Sequence, residues 1–193
     1  MKILDRAFYE RETIIVAKEL LGKLLIRRTN KGDLIGKIIE VEAYRGYDDP
    51  ASHAYHGRTD RNYLMFGHGG YAYVYFIYGN HYCFNVTAKV GNNPGAILIR
   101  ALEPIDGIEL MQNNRHVKDL KNLTNGPGKL TKAMNITIKH NGLDLTKGEE
   151  LFLCEPVENQ SFEIVSTKRI GIKSGIDKLW RFYIKDNAFV SKR

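Results

Sequence analysis

Two acids stand two residues apart in Ile38-Ile39-Glu40-Val41-Glu42-Ala43-Tyr44, and one arginine, Arg100, interrupts the apolar run 96–102. Alternate side chains of an extended strand share a face, so Ile39, Val41 and Ala43 point one way and Glu40, Glu42 and Tyr44 the other. A guanidinium between Ile99 and Ala101 is costly to desolvate unless a carboxylate or phosphate meets it, which makes Glu42 or Glu40 the expected partner of Arg100. An acid and an arginine on neighbouring strands can activate a single water against a glycosidic carbon. The same pair can equally be an ordinary half-buried salt bridge.

A second concentration of chemistry lies in Tyr71-Ala-Tyr-Val-Tyr-Phe-Ile-Tyr78, followed after Gly79-Asn80 by Tyr82-Cys-Phe-Asn85. This reads as a hairpin with Tyr78 beside its turn. Flat rings with polar tips in a chain of net charge +7 can hold an unstacked nucleobase, although tyrosine is also simply a good strand residue. The first strand is apolar on both faces and is expected to be a central one, covered on both sides. In the second, Tyr82, Phe84, Val86 and Ala88 form the core face, which turns Asn85 toward a cleft.

The balance of 29 Lys plus Arg against 22 Asp plus Glu favours a polyanionic partner. His53, His56, His68 and His81 lack HExxH or any other metal-ligand spacing, so no metal site is expected. The absence of GxSxG, P-loop and GxGxxG patterns removes support for a serine nucleophile or a nucleotide cofactor. Cys83 and Cys154 stand alone, which fits a reducing compartment. The N-terminus reads as amphipathic sequence rather than a secretory signal, and no apolar run approaches membrane-spanning length.

The elements that must position these residues follow from periodicity. With 193 residues, 43% of them hydrophobic, the chain is expected to form one domain over 1–193. Residues 12–21 have helical spacing and Gly22 offers a left-handed stop. Strands at 24–28 and 34–44 flank a turn, and a long loop, 45–70, carries Arg58 and Arg61. Pro104 is expected to open a helix running to about Arg115, before a surface loop at 114–125. Gly126-Pro-Gly128 precedes a short helix at 129–134, and strands lie near 151–154, 162–167 and 180–184. The sum is α+β, with more antiparallel strand than helix.

Val41-Glu-Ala-Tyr44, Ala51-Ser-His53, Arg61-Asn62, Tyr73-Val-Tyr-Phe-Ile-Tyr-Gly79, Asn85, Arg100-Ala-Leu-Glu-Pro104 and Gly126-Pro-Gly-Lys-Leu130 occur in register. In this order they resemble the alkyladenine (3-methyladenine, or methylpurine) DNA glycosylase family, over roughly residues 20–183. The resemblance implies a single domain with a curved, mostly antiparallel sheet, flanking helices and a protruding β-hairpin. It implies a monofunctional base-excision enzyme that flips an alkylated or deaminated purine from double-stranded damaged DNA and hydrolyses its N-glycosidic bond. 3-Methyladenine is the implied lesion, with hypoxanthine and ethenoadenine as further ones.

Carried over by motif position, Glu42 resembles the general base and Arg100 its positioning partner. Tyr44, Ala51, His53, Tyr75 and Asn85 resemble the base pocket, with the backbone at Ala51 and His53 reading the base edge and Asn85 excluding guanine. Tyr78 resembles the wedge that fills the gap in the duplex. Arg58 and Arg61 are the expected phosphate contacts. Lys129 reads as a phosphate contact or, in preference, a solvated surface charge, and Gly126-Pro127-Gly128 as an ordinary helix start or a phosphate contact. No cofactor, metal, membrane or obligate protein partner is implied, nor strand cleavage by an amine. The enzyme is expected to act as a monomer inside the cell, in the cytoplasm or nucleoid, or the nucleus of a eukaryote. The rival readings are a noncatalytic nucleic-acid module that uses the same rings as a stacking platform, and a metal hydrolase.

Overall fold

One long strand carries both acids and organises the rest of the molecule. The computed structural model describes residues 1–77, 79–158 and 160–191. Its strands are β1 (Leu24–Thr29), β2 (Gly32–Arg45), β3 (Ala72–Ile77), β4 (His81–Val90), β5 (Asn93–Asp106), β6 (Leu151–Cys154), β7 (Ile164–Thr167) and β8 (Arg181–Ile184). They form an antiparallel sheet in the order β3-β4-β5-β2-β1-β6. The sheet branches at β2: β5 runs along one edge, while the other pairs with β1 over Gly32–Thr29 to Lys37–Leu24 and with β8 at Glu40, Val41 and Glu42. β7 pairs with β8 beyond.

The register of β2 against β5 slips on both sides of Glu40, where Ile39 and Arg100 fall between paired residues. Bulges of this kind bend a strand and re-aim the side chains beside them. The sheet curls into a half-barrel, and the slip sits where the acids and the arginine meet.

The helices are α1 (Arg6–Tyr9), α2 (Thr13–Leu20), α3 (Ile108–Arg115) and α4 (Pro127–Ala133). At this length α2 is too short to be stable alone in water. It buries Val16, Ala17 and Leu20 against Ile39, Val41 and Ala43 of β2 and the Phe84–Val86–Ala88 face of β4. Each fully buried Val or Leu contributes about 1.5–3 kcal/mol. The Glu12 carboxylate accepts the free N–H groups of Ile14 and Ile15 at 2.8 and 3.0 Å. Gly22, at φ +83°, takes the chain out of the helix in the left-handed region. Glu12→Ala is expected to lower stability by about 1 kcal/mol, a fall in Tm of roughly 2–4 °C by thermal denaturation.

Three sequence expectations change. β3 is the outermost strand rather than a central one. Ala72 and Val74 face the main core, while Tyr73 joins a smaller cluster with Ala54, Leu64, Met65 and Ala96, against which Tyr75 packs. Both faces are therefore covered, because the 45–70 loop and its 3-10 turn at Tyr63–Phe66 fold over the second one. The free edge is partly closed by backbone bonds between Ala72 and residues 142–143, and by the Asn141 side chain accepting from Val74 N–H. Apolarity reports faces and is silent about edges.

Pro104 does not open a helix. β5 continues through it, opposite Gly36, to Asp106, and α3 starts after Gly107 at φ +68°. α4 starts at Pro127 rather than 129, with proline where its missing N–H costs nothing. Tyr78 lies outside the described residues. Among the described residues no helix is long and apolar enough to cross a membrane.

Candidate active site

β2, β3, β4 and the 45–70 loop converge on one cavity of about 260 Å³. Tyr44, Ala51, His53, Tyr75 and Asn85, the expected pocket residues, all line it. Strand parity accounts for most of this. Tyr44 is on the acid face of β2, Tyr73 and Tyr75 alternate on β3, and Asn85 is off the core face of β4.

The aromatic wall is held by polar tips. His53 Nδ1 and the Tyr73 hydroxyl are 2.8 Å apart, and the His53 and Tyr75 ring centroids lie 4.9 Å apart. Crowding by these rings, and then the Arg61 charge, holds the imidazole below its usual pKa, so it is neutral at pH 7. Burial pushes the Tyr73 phenol up to about 12 and the Tyr75 phenol higher, which keeps both protonated. Asn85 Nδ2 donates to the Tyr73 carbonyl at 3.0 Å, which fixes the amide. Arg61 lies over the Tyr75 ring, 5.0 Å from its centroid, at the rim of the cavity. Arg58 is exposed and does not line the cavity.

Glu42 is fully buried immediately behind this wall. Its Oε2 accepts from the Tyr44 hydroxyl at 2.7 Å, and its Oε1 accepts from the Ile170 N–H at 2.7 Å and faces Arg100 Nη1 at 3.2 Å. Burial, and then the Glu42 carboxylate, push the Tyr44 phenol well above its usual pKa, so Tyr44 is the donor. The choice the sequence left open resolves to both acids, since Arg100 Nε also donates to Glu40 Oε1 at 3.0 Å. Burial alone would weaken the guanidinium charge, but the Glu42 and Glu40 carboxylates outweigh it and raise the Arg100 pKa. Tyr44, which lines the cavity, links it to the acid through its hydrogen bond to Glu42.

One wall escaped the sequence reading. Gly171, Ile172, Lys173 and Ser174 also line the cavity. This segment is pinned by Arg169, whose Nη1 and Nη2 donate to Asp49 at 2.6 and 2.7 Å with both side chains fully buried. Arg169 also donates to the Ala43 carbonyl at 2.9 Å and lies 4.8 Å from the centroid of Tyr44. Asp49 in turn accepts the N–H groups of Ala51 and Arg45. The available signal was faint: an aspartate before a proline, in a turn, and a lone arginine after a tail strand. Among the described residues no group of three or more His, Cys, Asp or Glu is placed to hold a metal ion.

The chain is similar over nearly its whole length to known proteins. The profile of the family described as methylpurine-DNA glycosylase (MPG) matches residues 7–188. A protein of Clostridium acetobutylicum is 52% identical over 203 residues, covering 99% of this chain and 98% of its own. One of Natranaerobius thermophilus is 48% identical over 194 residues, covering 97% and 98%. Both carry the name "Putative 3-methyladenine DNA glycosylase".

Proposed function

The chain belongs to the methylpurine-DNA glycosylase family, and from that premise we propose that it excises alkylated purines, 3-methyladenine first, from double-stranded DNA by hydrolysis. The observation that carries this reading is Glu42, buried, braced by Arg100 and hydrogen-bonded to Tyr44 of the ring-lined cavity. An acid so placed has one task open to it once a base fills the cavity. It takes the proton of a water aimed at the sugar carbon, and its charge stabilises the oxocarbenium-like transition state.

The neighbours supply the rest. Flipping a base costs a few kcal/mol, least for a damaged one, and stacking returns about 1–3 kcal/mol per ring. A cationic alkylated purine is a good leaving group and is attracted to the electron-rich faces of Tyr44 and Tyr75. Arg61, which lies over the Tyr75 ring, and the exposed Arg58 are the proposed contacts to the DNA backbone phosphates. Tyr78, which lies outside the described residues, is the proposed wedge that fills the vacated space. Asn85, which lines the cavity, is the proposed excluder of guanine through a clash with its exocyclic amine. Water is the nucleophile, so no amine and no strand cleavage enter the scheme, and hypoxanthine and ethenoadenine are further candidate lesions. The enzyme works as a monomer wherever the genomic DNA lies.

Incubating the protein with a 3-methyladenine duplex in EDTA is expected to release free base and leave abasic sites, with strands cut only after alkali. A duplex bound but left intact would favour the noncatalytic stacking module, and release abolished by the chelator would favour a metal hydrolase.

A further inference from the structure

Two carboxylates lie on the same face of β2, yet their surroundings differ sharply. Glu40 is fully buried and its carboxylate accepts four hydrogen bonds. Its Oε1 accepts from Arg100 Nε at 3.0 Å, Arg181 Nε at 2.8 Å and Ser191 Oγ at 2.8 Å. Its Oε2 accepts from Ser191 N–H at 2.6 Å. A carboxylate offers about four lone-pair sites, so little remains of Glu40 for a water. Among the described residues, Glu42 Oε2 accepts only from the hydroxyl of Tyr44.

Arg100 lies between them with its donors divided, Nε on Glu40 and Nη1 on Glu42. A guanidinium ordinarily prefers to grip one carboxylate with two parallel bonds. Gripping Glu42 that way would occupy both of its oxygens and cancel its use as a base. Glu40 prevents this by holding the Nε edge, and Ser191, 3.4 Å from Arg100 Nη2, closes the remaining side. Arg181, from β8, and Ser191, from the end of the described chain, therefore reach the reaction through Glu40.

We infer that Glu40, buttressed by Ser191, is a positioning residue that keeps Arg100 singly bonded to Glu42 and so leaves Glu42 Oε2 available to the attacking water. This rests on the glycosylase reading above and assigns it a residue outside the pocket. Glu40 is distinct from a mere counter-charge. A counter-charge would affect folding, whereas a positioning residue acts on rate and only through Arg100.

The test is single-turnover base release from a 3-methyladenine duplex, beside the dissociation constant of an uncleavable lesion duplex, for wild type, Glu40→Gln, Ser191→Ala, and each change combined with Arg100→Lys. Lysine keeps the charge but cannot fork. Glu40→Gln is expected to slow release about tenfold or more, and Ser191→Ala about threefold, with lesion affinity within about twofold of wild type. On the Arg100→Lys background either change should add less than about twofold. A normal rate, an equal loss on both backgrounds, or a rate loss matched by lost affinity would each overturn the inference. Should Glu40→Gln fail to fold, Ser191→Ala carries the same test with every charge in place. Wild type that releases no base would bring down the glycosylase reading and this inference with it; active wild type with unaffected variants would remove the inference alone.

Discussion

Glu42→Gln is expected to slow base release at least about 10²-fold while lesion affinity and thermal stability stay near wild type. Glutamine matches glutamate in shape. Its Oε1 still accepts the Ile170 N–H and faces Arg100, and its amide can donate to the Tyr44 oxygen in place of accepting from it. No cavity opens, so the packing that shapes the pocket persists, and the Tyr44 O–H that gives up its acceptor can turn to water in the cavity it lines. What disappears is the ability to take a proton from water and the negative charge facing the sugar. Single-turnover release and binding of an uncleavable lesion duplex, measured on the same preparation, separate the two effects. Excision at the wild-type rate would strip Glu42 of its assigned role and return the Glu42–Arg100 contact to an ordinary salt bridge.

The reason so much of this site could be read from the chain is that its parts are local. Glu40, Glu42 and Tyr44 sit within one strand, so period-two alternation decides their direction before any fold is known. The Tyr73, Tyr75 and Asn85 positions follow from one hairpin in the same way, and Arg100 betrays its need of a partner by standing in an apolar run. What the chain conceals are pairings between distant segments. Arg169 meets Asp49 across 120 residues, and Ser191 meets Glu40 across 151. No periodicity links positions so far apart. The outermost place of β3 was hidden for a related reason, since a loop can cover a strand face as well as another sheet layer. Pro104 misled because its absent N–H is as compatible with a strand position as with the first turn of a helix.

The concealed Arg169–Asp49 pair leads to the second large effect, on stability and binding together. Arg169→Met leaves the Asp49 carboxylate fully buried with only the Arg45 and Ala51 N–H groups, and stranding one partner of a buried pair costs about 3–5 kcal/mol. In a chain of this size that corresponds to a fall in Tm of roughly 6 °C or more by calorimetry. Lesion affinity should fall as well, because the pair ties the loop bearing Ala51 and His53 to the Gly171–Ser174 segment, and both line the cavity. Combining Arg169→Met with Asp49→Leu removes both charges, and replacing a buried pair by apolar side chains is often neutral in stability. The double variant should therefore recover much of the Tm. It should not recover lesion binding, since leucine cannot accept the Ala51 N–H that Asp49 Oδ1 fixes at 3.1 Å. Recovery of both would mean that the pair serves folding alone, and that the pocket wall is positioned by the Ile170–Glu42 bond without it.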